Sequence, residues 1–240
     1  MKKKSVFMSL VIAALFVVFA QSALAYQVTT TGGGGFGIYQ YMNGGEFTLQ
    51  VDNDLMPVLN NYSSLTSNQG NTTNTFQSFC LELNEDIKPN TTYNAAMSNA
   101  AVAGGIGGAT NGVDPISIGT AWLYSAFAKG TLADYDFAGT IAERKASAFD
   151  LQYAIWWLED EKAYDASNIF IQAAIAMFGD AATAKADSNG AYNVMALNLT
   201  DVATGDLRQD QLVVVPIPSA IWLLGTAFMG LIGVRRRFTA

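Results

Sequence analysis

Both ends of this chain are apolar runs with basic residues on their outer side, which leaves the middle alone to fold as a water-soluble body. Lys2, Lys3 and Lys4 precede the apolar stretch from Val6 to Ala20, and a second stretch, Ala220 to Val234, is followed by Arg235, Arg236 and Arg237. These six are nearly half of the thirteen Lys and Arg, whereas all twenty Asp and Glu lie between Glu46 and Asp210. The middle therefore holds twenty acids against seven bases, a net of −13 in a chain whose total is −7. Such a body repels nucleic acid, so no nucleic-acid partner is expected. Histidine is absent, which excludes Ser-His-Asp triads, Cys-His dyads and His zinc sites. Neither a metal nor a cofactor is expected.

Residues 1–25 have the form of a secretory signal peptide: a basic start, a short apolar run, and the small-x-small cleavage site Ala23-Leu24-Ala25. Export through the Sec machinery follows. At the other end, residues 212–240 combine Val215-Pro216-Ile217-Pro218-Ser219, an apolar helix and the arginine cluster. The apolar run is slightly short for a bilayer, which takes about 17–25 residues. The arginines stay cytoplasmic by the positive-inside rule, so the body lies outside. The order of these parts resembles the PEP-CTERM sorting signal in its Val-Pro-x-Pro-Ser/Ala variant. That resemblance implies an exosortase-like processing enzyme, a Gram-negative host, and removal of the tail on the way to the cell surface or extracellular matrix. A plain membrane anchor is the simpler alternative.

Residues 26–211 read as one exported α+β domain with a mainly antiparallel sheet and a helical insertion. Strand signals occupy Tyr26 to Thr31, Gly37 to Tyr41, Glu46 to Val51 and Phe76 to Leu83, separated by Gly32 to Gly35, Asn43 to Gly45 and an Asn/Ser/Thr-rich loop. Helical spacing then appears from Ser117 to Lys129, stopping at Gly130, and in a helix that starts at Ser147 or earlier, near Ile141. A third helix covers Asn168 to Phe178, and strands return at Tyr192 to Leu199 and Gln211 to Val215. Gly104 to Gly108 lacks the strand, helix and lysine of a phosphate loop. Asp52-Asn53-Asp54 lacks the Gly and Glu of an EF-hand.

Cys80 is the single cysteine of an exported chain and has no partner for an internal disulfide. It is a buried apolar thiol, a link between chains, or half of a bond to something other than sulfur. Phe79-Cys80-Leu81 and, 72 positions on, Gln152-Tyr153-Ala154-Ile155-Trp156 resemble the thioester domains of bacterial surface adhesins, with Leu151 where that family usually has Thr. The resemblance implies Cys80 as thiol and Gln152 as acyl donor of an internal thioester, with Trp156, Ile155 and Trp122 as an apolar cover. A thiol that displaces ammonia from the Gln152 carboxamide leaves an activated acyl group. An amine on a partner surface then takes the acyl group once, which is covalent adhesion and not enzymatic turnover. The alternative is a structural matrix protein with no reactive bond. A surface hydrolase is the weakest reading: no spacing selects a catalytic pair from Glu82, Glu85, Glu159 and Glu161, which read as solvated surface, the last two at the solvent end of a helix.

Overall fold

The computed structural model describes residues 26–41, 44–102, 104–109 and 111–216. The expected signal peptide with Ala23 and Ala25, and the tail with Pro218, Ser219, Arg235, Arg236 and Arg237, lie outside the described residues; Pro216 is described, and is exposed. Among the described residues no helix is long and apolar enough to cross a membrane.

In chain order the strands are β1 (Tyr26–Thr30), β2 (Gln40–Tyr41), β3 (Gly44–Gly45), β4 (Phe47–Val51) and β5 (Thr75–Ser78), then β6 (Thr92–Ser98), β7 (Ala100–Val102), β8 (Val113–Pro115), β9 (Val194–Asp201) and β10 (Leu207–Val214). Four helices, α1 (Ile118–Ala128), α2 (Ile141–Leu158), α3 (Ile169–Phe178) and α4 (Ala181–Ala184), fall between β8 and β9. This is the expected α+β arrangement, a mainly antiparallel sheet with its helices inserted between strands. The main sheet has the order β10-β9-β6-β1-β4-β5, every pair antiparallel.

The two outer strands of that sheet also meet. Just beyond β5, the Leu81 N–H donates to the Asp210 carbonyl at 3.0 Å, and the Leu212 N–H donates to the Phe79 carbonyl at 3.0 Å. Cys80 and Gln211 form the bridge between these bonds. The two outer strands are thus joined at one bridge, which covers part of their open edges. A register irregularity between Arg208 and Gln211 interrupts the β9–β10 ladder, as a bulge does where a strand turns toward a second partner. Strand β10 runs through the boundary drawn at residue 211, so Leu212, Val213 and Val214 belong to the core.

The helices are anchored by their own caps. Ser117 caps α1 through its hydroxyl, which accepts from the Thr120 N–H. Thr140 and Glu143 form a capping box for α2, so that helix begins at Ile141 and Ser147 is an interior residue. Asn168 caps α3. Helix α1 is buried on most of its surface and packs so closely on α2 that a Cβ on Gly119 would meet Leu158 Cδ2 at 2.6 Å. Tyr124 fastens α1 to the joined outer strands: its hydroxyl lies 2.8 Å from that of Tyr62 and 2.9 Å from the carbonyls of Gln77 and Leu212.

The structure differs from the sequence expectation in several strands, including the short β7 and β8, for which the sequence carried no strand signal. The Gly37 to Tyr41 segment is strand only at Gln40–Tyr41, where it pairs with β3 in a small hairpin. Phe76 to Leu83 is continuous ladder only to Ser78. Strand β6 carries Ala, Asn and Ser at positions where β-branched residues usually signal strand, and its place between β1 and β9 supplies the pairing that its composition does not advertise.

Candidate functional site

The bridge that joins the outer strands places Cys80 against the middle of α2. On that helix Ala148, Leu151, Ile155 and Leu158 form the expected apolar stripe, and Gln152 and Trp156 lie one turn apart beside it, all of them buried. Cys80 and Gln152 have no solvent exposure, 0% each. The Cys80 thiol donates to Gln152 Oε1 with the sulfur 3.2 Å away, and the Cys80 backbone N–H donates to the same oxygen at 3.1 Å. Gln152 Nε2 in turn donates to the Cys80 carbonyl at 2.8 Å. The carboxamide is therefore held at both ends by the residue whose sulfur faces it.

This geometry has chemical content. The backbone N–H stands where negative charge develops on Oε1 when sulfur adds to the amide carbon, the position of an oxyanion donor. Burial pushes the Cys80 thiol well above its ordinary pKa, and Glu82 and Glu161 add to that shift, while its own backbone N–H and the Trp156 indole oppose it. At neutral pH the sulfur is a thiol, with its proton directed at the carboxamide oxygen.

The cover over this contact is the hairpin β2–β3. A Cβ on Gly44 would lie 2.6 Å from Gln152 Cγ and 2.8 Å from Trp156 Cη2, so glycine is required for the strand to lie this close. Tyr41 packs edge-on against Phe149 of α2, ring centres 5.6 Å apart. Both feet of the hairpin are fixed to Arg144, one helical stretch earlier on α2. Its guanidinium donates to Glu46 at 2.7 and 2.9 Å and stacks 4.1 Å from the centre of the Tyr39 ring. Its remaining donors reach the carbonyls of Phe137 and Leu65, and Tyr135 donates its hydroxyl to Glu46. Beside the hairpin, a cavity of about 450 Å³ is bounded by Phe36, Gln40, Phe47, Glu85, Asp86 and Gln209.

Of the three residues expected to cover the contact, Trp156 is 2% exposed and lies under Gly44, and Ile155 is fully buried in the core. Trp122 is half-buried, edge-on to Phe178 of α3, and lines a separate cavity with Ala126, Ile169 and Phe170. The glycine hairpin and Arg144 were not expected as parts of the site. Their signal was present in the pair Gly44-Gly45 followed by the first acid of the chain, Glu46.

The acids correct the sequence reading. Glu82, Glu159 and Glu161 are buried and not solvated, at 1%, 7% and 4% exposure, and Glu85 is half-buried. Glu159 accepts from the Ser117 N–H and hydroxyl; Glu161 accepts from the backbone N–H groups of Leu83 and Gly107. These carboxylates replace missing ladder partners in loops, which puts them inside. Glu82 differs, because neither carboxyl oxygen has a hydrogen-bond partner. Burial, with Asp210 and Glu85 nearby, raises its pKa to about 10, and that of Asp210 to about 7. Asp52 accepts from the N–H groups of Gln27 and Leu55 and serves a turn. Comparison with protein-family models, curated proteins and solved structures gives no match to this chain.

Proposed function

We propose that this chain is an exported surface or matrix protein in which Cys80 and Gln152 close into an internal thioester that acylates an amine on a partner surface. What carries the reading is the buried contact between the one thiol of the chain and one carboxamide, with the sulfur 3.2 Å from Oε1 and a backbone N–H on the same oxygen. Attack of sulfur on the amide carbon forms the C–S bond and breaks the C–N bond; the thiol proton and the amide nitrogen leave as ammonia. The stored acyl group needs shelter from water, which the Gly44 hairpin supports. The cavity beside that hairpin, with Glu85 and Asp86 on its wall, suits the approach of a cationic amine. The basic and apolar ends support Sec export and an exosortase-type sorting step, with the membrane met through the C-terminal apolar run in transit.

Intact-mass measurement of the folded, exported protein tests this. The expected species is one ammonia lighter than its sequence, and methylamine adds once, at Gln152. Cys80→Ala and Gln152→Ala both keep full sequence mass. A wild-type protein of full mass whose Cys80 alkylates freely would instead make the pair a hydrogen-bonded core contact in a matrix protein with no reactive bond. Pulse-labelling in the host, with loss of the C-terminal segment, tests the sorting step; a stable full-length membrane form indicates an anchor.

A further inference from the structure

The cavity of about 450 Å³ beside the hairpin is bounded by neighbours of both members of the Cys80–Gln152 pair. Leu83 on its wall follows Cys80 in the chain, and Gln40 belongs to the hairpin whose Gly44 lies against Gln152. A hydrogen bond continues the link inward. Gln209, also on the wall, accepts through Oε1 from Gln211 Nε2 at 3.3 Å, and Gln211 is the residue that pairs with Cys80 in the bridge, so the two side chains share one face. Gln211 is 0% exposed, yet its own Oε1 has no hydrogen-bond partner. Buried amide oxygens are normally paired, and this one is open to a donor beside Cys80. Toward solvent the wall turns acidic: Glu85 is half-buried and Asp86 exposed, next to Phe36 and Phe47, whose rings meet edge-on with centres 5.8 Å apart. Among the described residues no Lys or Arg forms an ion pair with either acid, and Glu85 Oε2 is buried without a hydrogen-bond partner. Uncompensated acids beside aromatic rings suit a cation on an apolar stem.

We infer that this cavity is the acceptor site and that it selects an alkylamine carrying a second positive charge, either a diamine or a lysine side chain beside another base. The inference rests on the thioester reading. The charged end lies against Glu85 and Asp86, the methylenes lie along Phe36 and Phe47, and the uncharged amine donates an N–H to Gln211 Oε1 at the inner end. That nitrogen adds to the Gln152 carbonyl carbon: the C–N bond forms, the C–S bond breaks with its electron pair passing to sulfur, and sulfur takes the proton that the nitrogen loses. The products are an amide and a free thiol. Glu85 and Asp86 thus determine specificity, and Gln211 positions the nucleophile.

Intact-mass kinetics test this with 1,4-diaminobutane against n-butylamine at equal concentrations of unprotonated amine. The diamine is expected to add about tenfold faster, with the excess shrinking as salt is raised. Glu85→Gln with Asp86→Asn should bring the ratio close to one, whereas Asp54→Asn with Asp187→Asn, which removes the same charge from exposed positions outside the cavity wall, should keep it. Gln211→Met should slow both amines by a similar factor. Equal rates for the two amines in the wild type, or a ratio that survives loss of both acids, overturns the assignment. A two-lysine peptide against a one-lysine peptide separates the sources: a matching preference assigns the site to a lysine-rich surface, and its absence assigns it to free diamines. If the wild-type protein has full sequence mass, the thioester reading fails by itself, and saturation-transfer NMR with the diamine decides the site. Binding that is lost with Glu85 and Asp86 keeps it as a reversible diamine site; no binding removes it as well.

Discussion

Helix α2 faces two buried polar regions, and they are finished to different degrees. At its start, Arg144 is 2% exposed and every acceptor around it is used: Glu46 twice, the Phe137 and Leu65 carbonyls, and the Tyr39 ring, with Tyr135 on Glu46. Two turns on, Gln152 and Cys80 satisfy one another, yet the Trp156 N–H and both Glu82 oxygens beside them have no partner. Unpaired buried polar groups are costly, typically about 1–3 kcal/mol each. The first network holds the hairpin down, and the second leaves a buried indole N–H and a buried carboxyl without partners near a thiol and an amide.

The largest effect should come from breaking the finished network. Arg144→Met leaves the Glu46 carboxylate buried without its cation, and losing one partner of such a pair costs about 3–5 kcal/mol. Urea unfolding at pH 7 should show that loss. Burial already pushes Glu46 upward against the pull of Arg144, so in the variant its carboxyl takes up a proton more readily. The deficit should shrink at pH 5. A double change, Glu46→Leu with Arg144→Met, should recover much of the stability. A loss of under about 1 kcal/mol in the single variant would mean that the pair is not what fixes the hairpin.

The unfinished region should instead show itself through pH. Glu82 has its pKa raised to about 10 from 4.5, and Asp210 and Glu159 are raised to about 7. A carboxyl raised on folding contributes stability that is complete below its unfolded pKa and is lost as pH rises through the folded one, because the native state holds the extra proton. Stability should therefore fall from pH 5 upward. Above pH 7 to 8 Glu82 alone among these three still holds its proton, with a slope of about 1.4 kcal/mol per pH unit. Glu82→Gln should match the wild type near pH 5 and lose most of the decline above pH 8. An unchanged slope in the variant assigns the decline to other groups.

The two regions were unequally legible in the sequence. Cys80 was readable because it is the single cysteine of the chain, and Gln152 because its helix, with Ala154, Ile155 and Trp156, resembles the thioester-domain motif. The α+β class followed from periodicity, as did α1 and α3, whose N-caps at Ser117 and Asn168 the structure adds. Arg144 was not legible, because its partner is 98 positions away and nothing local distinguishes a buried arginine from a solvated one. The acids misled for the same reason. Glu159 and Glu161 follow the last turn of α2, where charge normally meets water, but the loops at Ser117, Leu83 and Gly107 fold back onto them and use their oxygens as ladder acceptors. Long-range pairing of polar groups leaves no period in a sequence, whereas apolar faces do.

The smallest effect on stability, and the most specific to the join between the two regions, should come from Gly44. An alanine there places Cβ 2.6 Å from Gln152 Cγ and 2.8 Å from Trp156 Cη2, so the hairpin must lift by a few tenths of an ångström or more. Overpacking of this kind costs about 1–3 kcal/mol. The lift also opens the amide and sulfur to water while leaving Arg144 and Glu46 in contact. Gly34→Ala is the matched control: it has φ 70 with nothing within 4 Å of its Cβ, so its cost is one of backbone strain, about 1–2 kcal/mol, away from the site. Under the proposed thioester, timed intact-mass measurement in buffer should then show the light species of Gly44→Ala decaying to the hydrolysed form faster than in wild type, with Gly34→Ala unchanged. Equal lifetimes in all three proteins would separate the hairpin from protection of the bond, and the finished network at Arg144 would then serve the fold alone.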